Sequence, residues 1–308
     1  MKILFITSSF EDYLQDQLLI GLRTLLGDKV IDYPQKDVLY VNSPKDKHNL
    51  YGCGFTIWKS LPDIKIDRSN IFRRIQKNEF TLIIFGSIWR QKSVFKKVVF
   101  KNSFRNRTKL IFIDGEDHTM VYKKALPFGR YFKREQSSNL MSLFVRKINF
   151  SIPPNKIKKV SSKKNKPFAK HNQCDEAYKI EDVKNNCQRS YAFNDETLYY
   201  DDIAQSEFAI TMKKGGWDCM RHYEIAANLT VPCFYKLDTK NKNCAPHGLI
   251  DLVNVISFDT ASELERKINL IRDNNLYSSM QLNVKKWIEA NSCTNAAKQL
   301  LSNVGLPN

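Results

Sequence analysis

Apolar positions along the chain fall into two periods. The runs KILFITSS (2–9), FTLIIFGS (80–87) and KLIFID (109–114) are nearly unbroken and end in small or acidic residues. Such runs suit strands buried on both faces of a parallel sheet. KVIDYP (29–34) reads as a further strand. Between the first two, Leu14, Leu18, Leu22, Leu25 and Leu26 recur at helical spacing over 11–26, and Gly27 follows as a stop. Residues 94–99 belong to a basic helix. This alternation predicts an α/β fold with a parallel, doubly wound sheet. Ligands of such sheets bind beyond the strand C-termini. Ser8, Ser9, Gly86, Ser87 and the segment Asp114 to His118 therefore lie on the expected functional edge.

The rhythm breaks at PPNKIKKVSSKKNKPFAK (153–170), which is bounded by proline and dense in lysine. It reads as the start of a second domain with an exposed, solvated loop; a linker, or a contact with nucleic acid or lipid, is the alternative. A helix over 197–206, a strand over 208–212, a loop over 213–216, a helix over 217–228 and a strand over 231–235 follow. Another strand is expected over 253–258, then helices over 261–274, 278–291 and 294–304. The expected organisation is a first domain over 1–152, a second over 153–290, and a C-terminal helix over 291–308.

Composition adds limits. The chain has 308 residues, of which 42% are hydrophobic, enough for two cores. No run of about 18 apolar residues occurs, so no membrane span is expected. The start, MKILFITSSF, reads as a strand and not as a signal peptide. Seven cysteines, an odd number with no C-x-x-C pair, argue against a zinc site or a disulfide framework and fit a reducing cytoplasm. The net charge of +17 favours anionic partners, although a Lys- and Asn-rich coding bias yields the same excess without selection for binding.

The most informative stretch is KKGGWDCMRHYEIAANLTVPCF (213–234). On a helix beginning near Trp217, Met220, Tyr223 and Ala227 face the core, while Arg221 and Glu224 share another face. Gly215 and Gly216 allow a sharp turn and a close approach of backbone to ligand. The helix N-terminus, with Lys213, Lys214 and Arg221, makes an anion site suited to a diphosphate. Glu224, one turn further in, suits the hydroxyls of a ribose, and His222 stands beside both. The plainer alternative is an amphipathic helix carrying an Arg221–Glu224 ion pair.

The span YYDDIAQSEFAITMKKGGWDCMRHYEIAANLTVPCFY resembles the donor region of GT-B glycosyltransferases, most of all exostosin-like and related bacterial "glycosyltransferase family 1" proteins. Ser206, Phe208, Gly216, Arg221, Glu224 and Pro232 carry the likeness; DYLQDQLLIGLRTLLGDKVIDYP and YGCGFT resemble the N-terminal half. Many of those proteins have a glycine before the proline strand, where this chain reads Asn228-Leu229-Thr230-Val231. The resemblance implies two Rossmann-like domains facing a cleft, with the nucleotide-sugar held by the second and the last helix crossing back to the first. It implies a sugar transferase building a surface or secreted glycan, with a glycan or lipid-linked acceptor and an anionic membrane surface as partners. A DNA-modifying glycosyltransferase, with DNA as acceptor, is the alternative, and a non-catalytic nucleic-acid-binding protein a further one.

An inverting transfer needs a base for the acceptor hydroxyl. FIDGEDH (112–118) offers Asp117, then Glu116, then His118; a capped turn is the alternative. Asp201-Asp202 reads as part of a helix start, so no metal is assigned, and the nucleotide-sugar is a substrate with no separate cofactor. Basic groups can meet the leaving diphosphate in place of Mg²⁺. Lys133-Arg134-Glu135 reads either as a phosphate or acceptor contact or as the start of a surface helix. His171 and His247 read as structural or surface residues, and Gly52 and Gly54 as a loop near the acceptor.

Overall fold

A computed structural model describes residues 1–44, 46–101, 108–137 and 143–306. The chain divides into two compact units. One comprises Met1–Pro153, Asn243–Ala245 and Ser292–Asn308; the other comprises Pro154–Lys242 and Pro246–Asn291.

The apolar runs of the first unit become β1 (Ile3–Ile6), β2 (Val30–Tyr33), β3 (Leu82–Phe85) and β4 (Lys109–Asp114). Two more strands, β5 (Arg130–Lys133) and β6 (Val145–Lys147), complete a parallel sheet in the order β2-β1-β3-β4-β5-β6. Ile3 pairs with Val30 on one side and Leu82 on the other. The order reverses between β1 and β3, so the switch point lies at the loops after those strands. Helices α1 (Tyr13–Leu26), α2 (Ile71–Gln76) and α3 (Lys92–Lys101) belong to this unit. Asp12 caps α1, accepting from the Gln15 N–H at 3.1 Å, and Gly27 ends it with φ 57°. Phe85, Phe95 and Phe112 pack with ring centroids 5.3–5.9 Å apart.

The segment Lys133-Arg134-Glu135 is a strand end and not the start of a surface helix. All three residues are buried. Periodicity could not show this, because the partners that make the burial tolerable come from β4 and the loop after it.

The second unit carries a parallel sheet of β7 (Lys166–Phe168), β8 (Ser206–Met212), β9 (Val231–Tyr235) and β10 (Ile256–Phe258), in the order β10-β9-β8-β7. Its helices are α4 (Glu181–Asn186), α5 (Glu196–Ala204), α6 (Met220–Ala227), α7 (Ala261–Asp273) and α8 (Tyr277–Ala290). The lysine-dense stretch is more than a solvated loop: it contains β7 and straps α5. Lys156 pairs with Glu196 at 2.7 Å, Lys158 with Asp201 at 3.6 Å, and Lys166 with Asp202. Lys164 donates to the Ala204 carbonyl at 2.8 Å, where the exposed carbonyls of α5 attract a cation.

The last helix, α9 (Cys293–Asn303), belongs to the first unit and packs on α1. Gly21 makes this possible: a Cβ there would sit 1.9 Å from the Cys293 carbonyl oxygen. The Cys293 N–H continues inward to the Ile152 carbonyl at 2.8 Å. Among the described residues no helix is long and apolar enough to cross a membrane.

Candidate active site

The C-terminal end of β8 leads into the loop 213–219 and then α6. The helix starts at Met220, three residues later than its periodicity predicts. Cys219 is still extended at φ −143° and ψ 155°. The buried carboxylate of Asp218 accepts from the Tyr223 hydroxyl at 2.9 Å, which ties the preceding loop to the helix. His222 is buried too. Its Nε2 bonds the Trp217 carbonyl at 2.9 Å, and its Nδ1 faces the Thr211 hydroxyl at 2.8 Å. A carbonyl can only accept, so Nε2 carries the proton and Nδ1 accepts from Thr211. The ring thus holds the loop from beneath.

Arg221 is half-buried, and neutral oxygens hold it. Its Nε donates to the Ile210 carbonyl at 3.1 Å, one Nη to the Tyr199 hydroxyl at 3.3 Å, and the other to the His171 carbonyl. Glu224 is buried and accepts from the same Tyr199 hydroxyl at 2.8 Å. Arg221 and Glu224 therefore meet through a phenol. The ion pair of the plainer alternative is not formed, and no carboxylate pairs with Arg221 among the described residues. A guanidinium drawn out of water and not neutralised attracts an anion strongly.

Lys213, Lys214 and Gly215 are exposed, whereas Gly216 is buried. The Lys213 ammonium lies 5.3 Å from the Trp217 ring centre. Lys214 bonds the Gln173 side chain, and its backbone N–H closes the turn onto the Gly216 carbonyl at 3.0 Å. Partial burial pushes the Lys214 ammonium below its ordinary value. Neither Gly215 nor Gly216 is among the residues with left-handed backbone. What glycine supplies here is the missing side chain and not a special turn.

In the run Asn228-Leu229-Thr230-Val231, before the proline strand, Leu229 takes the left-handed backbone, at φ 54°. Its N–H bonds the Ala226 carbonyl at 2.9 Å and the Thr230 N–H bonds Ile225 at 3.3 Å, the two bonds of a Schellman ending. Leucine in this conformation costs about 1 kcal/mol. Burial of its side chain, worth roughly 1.5–3 kcal/mol, outweighs that.

In the first unit, the acidic segment after β4 separates into two layers. Asp114 is fully buried. It accepts from Trp89 Nε1 at 2.8 Å, the Tyr131 hydroxyl at 2.5 Å, Lys133 Nζ at 2.9 Å and the Glu116 N–H at 3.2 Å. It anchors the loop and is not open to a substrate. Asp117 is exposed and pairs with Arg134, whose guanidinium also donates to the Gly115 carbonyl at 2.9 Å. Glu116 lies 3.3 Å from Arg90. His118 stands edge-on to Trp89, ring centres 4.9 Å apart. The three base candidates share one loop, and each is oriented by a neighbour.

Two features were missed in the sequence: Tyr199, and the turn after β7 that supplies His171 and Gln173. Tyr199 lies 22 residues from Arg221, so helical periodicity could mark it only as a core position. Among the described residues no cluster of three or more His, Cys, Asp or Glu is placed to hold a metal ion.

No family model matches the sequence, and no curated protein matches it. Solved structures do. A glycosyltransferase from Rickettsia africae superposes with a TM-score of 0.60 at 10% identity, covering 98% of this chain and 97% of that one. An alpha-glucosyltransferase in complex with UDP gives 0.57 at 10%, covering 98% of each chain. An alpha-glucosyltransferase in complex with UDP and a 13-mer DNA gives 0.55 at 12%, covering 99% of this chain and 98% of that one. Anabaena Alr3699/HepE in complex with UDP and glucose gives 0.55 at 13%, covering 99% of each. The two parallel sheets are thus the two Rossmann-like units of the GT-B glycosyltransferase fold.

Proposed function

We propose that the chain is a glycosyltransferase that moves a sugar from a nucleotide-sugar to a hydroxyl of a glycan or lipid-linked glycan, without a metal ion. One observation carries this reading: Arg221 is half-buried at the end of β8 and, among the described residues, bonds carbonyl and phenol oxygens and no carboxylate. A diphosphate is the partner that such a group lacks. Lys213, Lys214 and the N–H groups opening α6 add to the anion site, and Glu224 serves the ribose hydroxyls. The similar folds that hold UDP support the choice of donor class. The exostosin-like motif around Arg221 and Glu224 points the same way.

The transfer itself needs little covalent help. The acceptor oxygen attacks the anomeric carbon while the bond to the diphosphate breaks. Arg221 and the two lysines meet the charge that develops on the leaving oxygens. In an inverting transfer, Asp117, Glu116 or His118 takes the acceptor proton. A peripheral place on anionic membrane fits lipid-linked acceptors and the net charge of +17.

DNA as the acceptor is the second reading. It is favoured by the same charge and by the alpha-glucosyltransferase known with DNA. Against it, four lysines of the basic stretch 153–170 are already engaged within the second unit.

Thermal-shift titration with UDP, GDP, CMP, TDP and their sugar conjugates tests the donor site. One nucleotide should raise the melting temperature, and Glu224→Ala should abolish the rise while remaining folded. A shift with duplex DNA alone would replace this reading with that of a binding protein.

A further inference from the structure

The donor-site reading leaves open what keeps the Glu224 carboxylate in place. We infer that Tyr199 is a positioning residue that fixes Glu224 and Arg221 together and so sets the preference of the site for ribose over 2′-deoxyribose nucleotides. The inference rests on the donor-site reading above.

Tyr199 comes from α5, whereas Glu224 and Arg221 come from α6. Its ring is wedged between Phe193 and Tyr200, with ring centres 5.9 and 5.7 Å away. A phenol has a single proton. Here that proton goes to Glu224 at 2.8 Å, since Arg221, at 3.3 Å, can only donate to the phenol oxygen. The direction of the chain is thus fixed: guanidinium to phenol oxygen, phenol proton to carboxylate. Burial first, and the Glu224 charge second, push the phenol well above its ordinary value, so it remains a donor at any working pH.

This arrangement has a consequence for selectivity. A carboxylate distinguishes a ribose from its 2′-deoxy form only if its oxygens are held where the vicinal hydroxyls arrive; a site built to bond a hydroxyl rejects the analogue that lacks it. Freed from the phenol, the carboxylate can turn and solvate, and it loses that discrimination. Removing a hydrogen bond to a charged group costs about tenfold to a hundredfold in binding. That loss should fall on the ligand with the diol.

The test is calorimetric titration of the full chain with UDP and with 2′-deoxy-UDP. Wild type should prefer UDP. In Tyr199→Phe, UDP binding should weaken by about tenfold or more while 2′-deoxy-UDP changes little, so that the preference collapses. Glu224→Gln should collapse it too, and adding Tyr199→Phe to that variant should change nothing further. Equal weakening toward both ligands, or an additive effect on top of Glu224→Gln, would make Tyr199 merely a structural residue and overturn the inference. Binding of neither nucleotide by wild type would overturn the donor-site reading for UDP, and this inference with it.

Discussion

Two places in the molecule treat a cation drawn from water in opposite ways, the core of the first unit and the end of β8 in the second, although elsewhere in the second unit Lys267 pairs with Asp251 and Glu263 at 2.8 and 2.9 Å. In the first, a buried cation meets a carboxylate. Lys133 faces Asp114 at 2.9 Å, and both Arg23 and Arg68 reach Asp32, at 2.7 and 2.6 Å. In the second, Arg221 reaches two carbonyls and a phenol. Coulomb attraction repays desolvation in the first arrangement and leaves it unpaid in the second. A neutralised ion pair has no further need of a charged ligand. A guanidinium held, among the described residues, by dipoles has one, and this difference supports the proposed anion site better than the excess of lysine does.

The largest effect should come from removing compensation where it exists. Burial pushes the Lys133 ammonium down, and Asp114 pulls it back up. Asp114→Asn keeps the shape and strips the charge, taking from the buried Lys133 the carboxylate that it bonds. Stability to urea should fall by about 3–5 kcal/mol. Lys133→Met added to Asp114→Asn should recover part of that loss, since the stranded charge is then gone. A double variant no better than the single one would show that the other donors to Asp114, from Trp89 and Tyr131, carry the cost instead.

Removing the uncompensated cation should behave differently. Arg221→Gln should weaken UDP binding by about a hundredfold, or roughly 3 kcal/mol. Its stability should fall much less than that of Asp114→Asn, because the bonds it loses are partly offset by the desolvation it no longer bears. A loss of stability as large as that of Asp114→Asn, with UDP binding intact, would erase the contrast between the two places.

The same contrast explains what could be read from the sequence. Strands β1, β3, β4 and β9 are apolar runs, and burial on both faces leaves little else they could be. The placement of Arg221 and Glu224 on one face of a helix was also legible, because the spacing of the two residues decides it. What joins them was not: Tyr199 arrives from another helix, and only the folded chain brings it in. Strand β5 was hidden for a related reason. Arg-Tyr-Phe-Lys followed by Arg-Glu looks like surface until Asp114, Gly115 and Asp117 supply partners from 17 to 19 residues away. Contacts distant in sequence decide whether a charge is scaffold or site, and no periodicity records them.

Asp16 is where the first unit departs from its own pattern, and it yields the smallest effect. The carboxylate sits in the first turn of α1 with no exposed surface. Its Oδ1 accepts from Gln15 Nε2 at 3.0 Å and lies 3.4 Å from Lys36 Nζ, but its Oδ2 has no hydrogen-bond partner among the described residues. Lys36 spends its protons on the Ser8 and Phe10 carbonyls, at 3.1 and 2.5 Å. Burial outweighs the pull of Lys36 and raises the carboxyl from 3.8 to about 6. The folded state therefore holds this proton more tightly than the unfolded chain does. The stability it contributes is fully present below 3.8 and is lost as pH rises through 6. Moving from pH 7 to pH 5 should return about 1 kcal/mol. Asp16→Asn keeps the shape and removes the titration, so the difference in urea stability between wild type and variant should shift by that amount, with wild type gaining on the acid side. A difference that stays flat with pH would mean that Lys36 keeps Asp16 ionised, and Asp16 would then join Asp32 and Asp114 as a fully compensated charge.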